Sequence, residues 1–385
     1  MRSSPGVKGS PDWASIFTVH RVEDVRGGQV VSGRLLPHLS PESAQVKLTL
    51  AQWPGSHESR PGAHGWDLVL FRQVGHQRER WRLHVALFLL TLFSVVVAGS
   101  LLSGREPVGF TWLHLFDDWW LPLPIAVNYD ALGAGLSFGL ALIGVLALHE
   151  AGHYVAARYH RISVTPPYFI PFPPYFSIIG TLGAFIRLRS PVMNRRALLD
   201  VGVAGPVLSF VVSLPLLWWG LLHSRVEVSP PGVGSPYLVR FITEEVWLGS
   251  SLAFSAMARA VIGFSGGDAV LMLHPVAFAG WIGLFVTALN LVPISQLDGG
   301  HILYAMLGRR QRPFAWLFFG VLIPLGFLWA GWWVWAALVF FLGRGRVGHP
   351  PVFNAEEGLD GARLGIGLAA AVVFALCFVP VPFRL

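Results

Sequence analysis

The sequence predicts an all-α polytopic membrane protein with about six to eight membrane helices, a re-entrant β element and a small N-terminal α+β soluble domain. Of its 385 residues, 54% are hydrophobic and only 13% are charged, whereas a soluble domain carries about 25% charged residues. Apolar runs long enough for membrane helices recur along the chain. Arginines flank these runs, as the positive-inside rule describes.

The net charge of +7 does not indicate a nucleic-acid-binding protein. The basic residues lie beside the apolar runs and form no separate basic region, so we expect no nucleic-acid partner. The single cysteine, Cys377, can form no intrachain disulfide. About eighty mixed residues precede the first apolar run, which is not the pattern of a signal peptide.

Residues 1–80 are predicted to form the small soluble domain, on the cytosolic side. The segments 29–36 and 66–74 have the composition of strands. Ser40 and the proline after it resemble a helix start, yet 44–50 alternates between apolar and polar residues. A short helix and a further strand both stay open there, and no function is readable from this domain.

The first span is predicted at 83–103. Arg80 and Arg82 precede it, which indicates a cytosolic N-terminus. The loop that follows carries more acidic than basic residues and is expected outside, so the first span and outer loop together form the unit 81–130.

The second span is predicted at 131–157, with its inner end marked by Arg158 and Arg161. The next segment, 162–190, is apolar but contains five prolines, which rule out a regular helix. Irregular backbone at membrane depth must be buried in protein or line a cavity. Its part 180–189, "GTLGAFIRLR", has strand-like composition and predicts the re-entrant β element.

The later spans are predicted at 197–222, 272–293, 313–343 and 362–380. The run 313–343 exceeds the roughly 20 residues of one helix, so it is interpreted as a hairpin hinged near Gly326 or Gly331. The segment 223–249 is predicted to be an outer loop. The apolar stretch 250–264 is short for a span and is expected in the membrane interface.

The stretch "HEAGH" places three polar side chains inside an apolar span, where each costs about 2.5–3.5 kcal/mol. His149 and His153 are four residues apart and share one helix face, so both imidazoles can bind one Zn²⁺. Glu150 lies beside them and can act on a metal-bound water. A solvated polar face is the usual alternative, but an apolar span offers no solvent.

Catalytic zinc takes a third protein ligand, and Asp298 in "NLVPISQLDGGH" is the best candidate. Gly299 and Gly300 are expected to allow a tight turn and a close backbone approach. Pro293 is expected to end the preceding helix and to help line the substrate cavity. Zinc with ionised Asp298 and ionised Glu150 sums to zero charge, which lowers the cost of burial.

Other polar residues are weaker candidates for the site. Asp200 lies near the inner end of its span and is expected to cap a helix or support the ligands, whereas Asp268 is at the wrong depth. His301 could support the site, but a surface position is favoured, and His160 and His274 are expected at the interface.

These residues predict peptide hydrolysis. Zinc lowers the pKa of a bound water, Glu150 takes its proton, and the hydroxide attacks a peptide carbonyl. Glu150 then returns the proton to the leaving amine. Asn290 is the candidate donor to the oxyanion, with a helix-terminal role as the equal alternative.

The two motifs together resemble the site-2 protease family of intramembrane zinc metalloproteases. In that family two histidines and the aspartate of an N-x-x-P-x-x-x-L-D-G motif bind zinc, which implies the same roles for His149, His153, Asp298 and Glu150. The stretch "GTLGAFIRLRSP" with "DVGVAGP" is similar to the plastid and cyanobacterial branch. No outer loop is long enough for the PDZ domain that some members carry.

The resemblance implies cleavage of transmembrane proteins within a lipid bilayer by the core 131–310, with C-terminal membrane helices at 311–385. A substrate helix must unwind, and the edge of "GTLGAFIRLR" is proposed to hold it extended, with Gly180 and Gly183 allowing the approach. The expected location is a bacterial inner membrane, with the site toward the cytosol. A metal transporter and a non-catalytic relative that binds membrane helices are the alternatives; the oligomeric state is not predicted.

Overall fold

The computed structural model describes residues 13–25, 28–53, 55–62, 64–73, 79–116, 119–228, 235–352, 354 and 358–384. Within them the chain is rich in helices and carries several small sheets. This agrees with the predicted helical membrane protein, although more of the chain is strand than the sequence indicates.

The helices of the described residues follow one another along the whole chain. They are α1 (Ala44–Ala51), α2 (Trp81–Leu102), α3 (Tyr129–Tyr159), α4 (Arg195–Leu222), α5 (Leu252–Ile262), α6 (Pro275–Leu291), α7 (Asp298–Leu307), α8 (Gln311–Leu328), α9 (Gly331–Leu342) and α10 (Gly361–Cys377). Short 3₁₀ turns occur at Trp13–Ser15, Pro174–Phe176 and Gly308–Arg310.

The strands form four separate sheets. They are β1 (Phe17–Val25), β2 (Gly28–Leu35), β3 (His57–Gly62), β4 (Gly65–Gln73), β5 (Val108–Phe116), β6 (Trp119–Val127), β7 (Tyr168–Pro171), β8 (Thr181–Phe185), β9 (Arg225–Val228), β10 (Tyr237–Phe241), β11 (Glu244–Leu248), β12 (Ala269–Met272) and β13 (Phe383–Arg384).

The N-terminal sheet is antiparallel with strand order β1-β2-β4-β3. Helix α1 packs on it, and Val46 and Leu50 join Leu68 and Leu70 of β4 in a buried cluster. The segment 44–50, for which a helix and a strand were both possible, is thus a helix. It starts after Ser43, three residues beyond the predicted cap Ser40. The predicted strands at 29–36 and 66–74 correspond to β2 and β4, whereas β1 and β3 were not predicted.

Four helical segments of the described residues are long and apolar enough to cross a membrane: Trp81–Leu102, Tyr129–Tyr159, Arg195–Leu222 and Asp298–Leu328. The first three match the predicted spans at 83–103, 131–157 and 197–222. The central helix α6, predicted as a span, has 17 residues and falls just short of that length. Six to eight membrane helices therefore stay a prediction.

Helices α2, α3, α4 and α6 form the packed centre of the protein. Phe138 of α3 and Phe278 of α6 are fully buried and stack with ring centroids 5.9 Å apart. Small residues bring the helices close together: a Cβ at Gly135 of α3 would lie 2.0 Å from the Val96 carbonyl oxygen of α2. The position of α3, which carries "HEAGH", thus depends on tight contact with its neighbours.

The predicted outer loop 223–249 carries strands in its described part, and its side of the membrane stays a prediction. This segment contributes β9, β10 and β11 to a five-stranded sheet with order β13-β11-β10-β12-β9. Its partner strands come from 269–272 and from 383–384 near the C-terminus. β10 and β11 form a local hairpin, whereas β9, β12 and β13 are short strands completed by distant segments and leave little local pattern to read.

The apolar run 313–343 is a pair of helices, as predicted. Helix α8 ends at Leu328 and α9 begins at Gly331, one of the two proposed hinge positions. Since α9 has only 12 residues, it is shorter than the roughly 20 residues that cross a bilayer.

The segment 162–190 folds as an antiparallel hairpin of β7 and β8 beside α2. Gly180 has φ +74°, and a Cβ there would lie 2.6 Å from the Ser94 carbonyl oxygen of α2. The space beside Gly180 is therefore filled by α2. Gly183 has φ +103° and faces open space, with no atom within 4 Å of a Cβ position.

The N-terminal sheet is attached to the membrane helices close to this hairpin. The Glu58 carboxylate accepts hydrogen bonds from the side-chain amides of Asn194 and Asn354, at 2.6 and 3.0 Å. Arg189 makes a two-pronged ion pair with Glu79 at 2.5 and 3.0 Å.

Replacing Gly135 by alanine is expected to destabilise the protein by about 1–3 kcal/mol, because the methyl group must push α2 and α3 apart. Gly144→Ala is the matched control, since it lies on the same helix with nothing within 4 Å of its Cβ position. Thermal unfolding in detergent measures both. Equal melting temperatures for the two variants would contradict the close α2–α3 contact.

Candidate metal centre

Helix α3 positions the histidines and the glutamate of "HEAGH". The helix begins at an Asn128 cap, whose side chain accepts a hydrogen bond from the Ala131 N–H at 3.1 Å. His149, Glu150 and His153 lie in its last third and are each 4–6% exposed. One helical turn separates the two imidazoles, and their Nε2 atoms lie 3.0 Å apart.

Asp298 is the first residue of α7, where the positive end of the helix dipole favours a carboxylate. The tight turn expected at Gly299 and Gly300 is wrong: the turn precedes Asp298, and both glycines lie in the first turn of α7. The expected close approach is present, because a Cβ at Gly299 would lie 2.0 Å from the Leu291 carbonyl oxygen of α6.

His149, His153 and Asp298 form the one His/Cys/Asp/Glu group able to hold a metal ion within the described residues. The Asp298 Oδ2 atom lies 3.4 Å from His149 Nε2 and 3.3 Å from His153 Nε2. Tetrahedral zinc ligands at 2.0–2.1 Å from the ion stand about 3.3 Å from one another. The observed separations of 3.0–3.4 Å fit such a site.

Helix α4 fixes the orientation of both imidazoles. The Nδ1 atom of His153 lies 2.8 Å from the Val201 carbonyl oxygen, so it donates and leaves Nε2 free for the metal. The Nδ1 atom of His149 lies 3.1 Å from Ser209 Oγ, which lies 2.8 Å from Thr287 Oγ1 of α6. Sequence reasoning did not identify Ser209 or Thr287, because a single hydroxyl in an apolar span carries no distinctive pattern.

Glycines allow α3 and α4 to come this close. A Cβ at Gly205 of α4 would lie 2.1 Å from His153 Nε2 and would clash with the imidazole ring. A Cβ at Gly152 of α3 would lie 2.5 Å from the Ala204 carbonyl oxygen. Gly205 belongs to "DVGVAGP", and its close approach to His153 is a finding of the structure.

A cavity of about 220 Å³ opens beside the three candidate ligands. Glu150 and Asn290 line it together with the segment after β8, and the Asn290 side-chain nitrogen lies 3.3 Å from His149 Nε2. Ala184 and Phe185 of β8 also line the cavity. Pro293 is buried in the loop after α6, as expected for a helix terminator, but lies outside the cavity lining, as do Gly180 and Gly183.

Asp200 does not compete for the metal. Its carboxylate is engaged by the Arg363 guanidinium at 2.8–3.3 Å and by His160 Nε2 at 2.8 Å. The residue therefore joins α4 to α10 and to the end of α3. Asp268 is exposed before β12 and lies outside the candidate group.

His301 is not a surface histidine, contrary to the favoured interpretation. It lines the cavity, and its Nδ1 atom lies 2.8 Å from His349 Nε2. Burial and the neighbouring His301 lower the pKa of His349 to about 3, so this outer histidine is neutral at physiological pH. No sequence signal pairs the two residues, because 47 positions separate them and His349 follows an unpatterned loop.

Comparison with known proteins finds a family model that matches part of the chain. Residues 137–328 match Peptidase family M50. No solved structure matches the chain.

Several similar proteins are chloroplast proteins. The chain is 29% identical over 258 residues to the probable zinc metalloprotease EGY2, chloroplastic, of Oryza sativa subsp. indica, covering 66% of this chain and 44% of the relative. It is 30% identical over 226 residues to the probable zinc metalloprotease EGY1, chloroplastic, of Oryza sativa subsp. japonica. That match covers 58% of this chain and 37% of the relative. It is 28% identical over 190 residues to the probable zinc metalloprotease EGY1, chloroplastic, of Arabidopsis thaliana. That match covers 49% of this chain and 32% of the relative. The chain thus spans less than half the length of these relatives.

These findings confirm the resemblance drawn from "HEAGH" and "NLVPISQLDGG". The relatives are named zinc metalloproteases, and the His-His-Asp group matches the chemistry of zinc, which confirms the predicted cofactor.

Replacing Ser209 by alanine is expected to weaken zinc binding by about 10–100-fold, because His149 loses the partner that orients its ring. Ser213→Ala is the matched control: it is a buried serine one turn further along α4, and its hydroxyl bonds the Ser209 carbonyl oxygen. Competition with a chelator of known affinity measures both. The same zinc affinity in both variants would contradict the orienting role of Ser209.

Proposed function

The chain carries a domain of peptidase family M50, the site-2 protease family, over residues 137–328, and from this premise we propose that it is an intramembrane zinc endopeptidase that cleaves transmembrane proteins. The observation that carries the proposal is the convergence of two imidazoles and a carboxylate beside Glu150, within an apolar helix bundle. His149, His153 and Asp298 are the proposed zinc ligands.

Bound zinc supplies a Lewis acid that polarises the scissile carbonyl and makes a water acidic enough to lose a proton near neutral pH. Glu150 is the proposed base that accepts this proton and later delivers it to the leaving amine. Its position favours the role, because it lines the same cavity as the three ligands and is 5% exposed.

Asn290 is the proposed donor to the oxygen of the attacked carbonyl. Its side-chain nitrogen reaches within 3.3 Å of His149 Nε2, so the amide lies at the edge of the metal site. A donor held there by α6 can stabilise charge that develops on the oxygen during attack.

We place the catalytic core at 131–310, flanked by the first span and outer loop at 81–130, the N-terminal domain at 1–80 and C-terminal membrane helices at 311–385. The family match begins at residue 137 and runs 18 residues past the proposed boundary at 310. The four apolar segments support a protein of the lipid bilayer. Arginines at the end of α3 and the start of α4 favour the cytosolic side for the zinc site. A bacterial inner membrane stays a prediction, since the named relatives are chloroplastic.

The edge of β8 is the proposed substrate-binding strand. β8 pairs with β7 on one side, and no described strand pairs with its other side. Its end, at Ala184 and Phe185, lines the cavity. An extended substrate segment added to this edge would run into the cavity with its backbone held for attack. Gly183 leaves open space beside that edge, whereas the space at Gly180 is filled by α2.

A transporter finds less support. Transport through the membrane requires metal ligands at several depths, whereas the part of the chain that the structure describes holds one such group. A non-catalytic relative is distinguished only by assay.

Glu150→Gln is expected to abolish cleavage and keep the zinc. The amide has the shape of the carboxylate but cannot accept the proton, so the rate falls by about 10²–10⁴-fold or more. Wild type and variant are purified in detergent, their zinc content is measured, and each receives a labelled transmembrane peptide. Asn290→Ala, in the same assay, is expected to keep zinc and lower kcat by about 10²-fold.

Cleavage by Glu150→Gln at the wild-type rate would refute its role as base. Absence of metal from folded wild-type protein would refute the site itself. Zinc in wild type with no cleavage of any transmembrane peptide would favour the non-catalytic relative.

Leu182 of β8 provides a test of the substrate strand. Leu182 lies at a bulge of β8, two residues before Ala184, and is 65% exposed. In a Cys377→Ser, Glu150→Gln background, Leu182→Cys is expected to form a disulfide with a substrate cysteine placed near the scissile bond. Val155→Cys on α3, 66% exposed, is the matched control. Equal cross-linking at both positions would contradict docking on β8.

A further inference from the structure

A second cavity, of about 500 Å³, lies where α7 ends and α8 begins. The segment 345–351 closes its other side. Three arginines line it, Arg309 and Arg312 from the α7–α8 junction and Arg346 from the closing segment. The zinc site does not include any of them.

The described lining of the cavity carries a net positive charge. Among the described residues no carboxylate lines it, and none of the three arginines forms an ion pair. His349 also lines the cavity but is neutral. The three arginines are exposed, and their positive charges around one concave space favour an anion there.

Gln311 shows that the cavity is more than a set of surface arginines. The side chain is 1% exposed and its Oε1 atom accepts a hydrogen bond from the His349 N–H at 3.2 Å. Its Nε2 atom is buried and has no hydrogen-bond partner among the described residues. An unsatisfied buried donor costs about 1–3 kcal/mol, which an acceptor in the cavity would recover.

We propose that this cavity binds a phosphate group. Guanidinium groups match phosphate oxygens in two-pronged geometry, and the Gln311 amide supplies a further donor at the buried end. Trp316 lines the same cavity and gives it an apolar wall. Two sources share this chemistry: the headgroup of an anionic phospholipid, and a soluble phosphate compound.

General attraction of arginines to a membrane surface is the alternative explanation. Arg310 and Arg344 belong to the same basic segments but do not line the cavity. They provide a matched control with the same change in charge. The proposal requires the cavity arginines to differ from them.

The experiment uses the full chain purified in detergent. Titration calorimetry with inorganic phosphate and pyrophosphate tests the soluble source. Native mass spectrometry after incubation with phosphatidylglycerol or phosphatidylcholine tests the headgroup source. The variants are Arg312→Gln with Arg346→Gln, Arg310→Gln with Arg344→Gln, and Gln311→Glu, which keeps the acceptor for the His349 N–H but replaces the amide donor with a carboxylate. Zinc content and melting temperature report folding.

Wild type is expected to bind one of these probes, and the cavity pair is expected to bind it about tenfold or more weakly. Gln311→Glu is expected to abolish binding, while the Arg310 and Arg344 pair stays within about threefold of wild type. Binding of phosphatidylglycerol alone would identify a headgroup site, and binding of the inorganic probes a soluble one. Binding of no probe, equal losses in the two arginine pairs, or undiminished binding by folded Gln311→Glu would each overturn the proposal.

Discussion

The burial of two carboxylates beside two imidazoles, inside an apolar bundle, is the constraint on which the rest of this structure depends. Two carboxylates in an apolar bundle need positive charge close by, and among the described residues no arginine lines this site. Relatives are named zinc metalloproteases, and a divalent ion held by His149, His153 and Asp298 would balance both charges.

This constraint explains why the surrounding helices touch so closely. A metal site needs ligand atoms fixed within a few tenths of an ångström, and backbone packing supplies that rigidity. Helix α4 contacts α3 through Gly152 and Gly205 and thereby brings the Val201 carbonyl to His153. Helix α7 rests on the end of α6 through Gly299, which sets the position of Asp298.

The polar groups of the membrane helices are distributed by role. Asp200 is saturated by Arg363 and His160, so it links three helices and offers nothing to a metal. The arginines around Gln311 face a cavity of their own, and the pair His301–His349 lies between that cavity and the zinc site, with one histidine lining each. The Asp200 cluster and the His301–His349 pair both depend on hydrogen bonds, which are stronger in apolar surroundings than in water.

By itself the sequence determined the apolar spans near α2, α3 and α4 and the two motifs that carry "HEAGH" and Asp298, because these are local patterns of spacing and hydropathy. Only the tertiary structure decided which hydroxyl and carbonyl orient His149 and His153, where Gln311 is buried, and that 225–228, 237–241 and 244–248 join one sheet. These depend on contacts between distant segments, such as β11 with β13 or Gly205 with His153. A glycine or serine in an apolar run looks the same whether it touches a ligand or lipid, until the helices are packed.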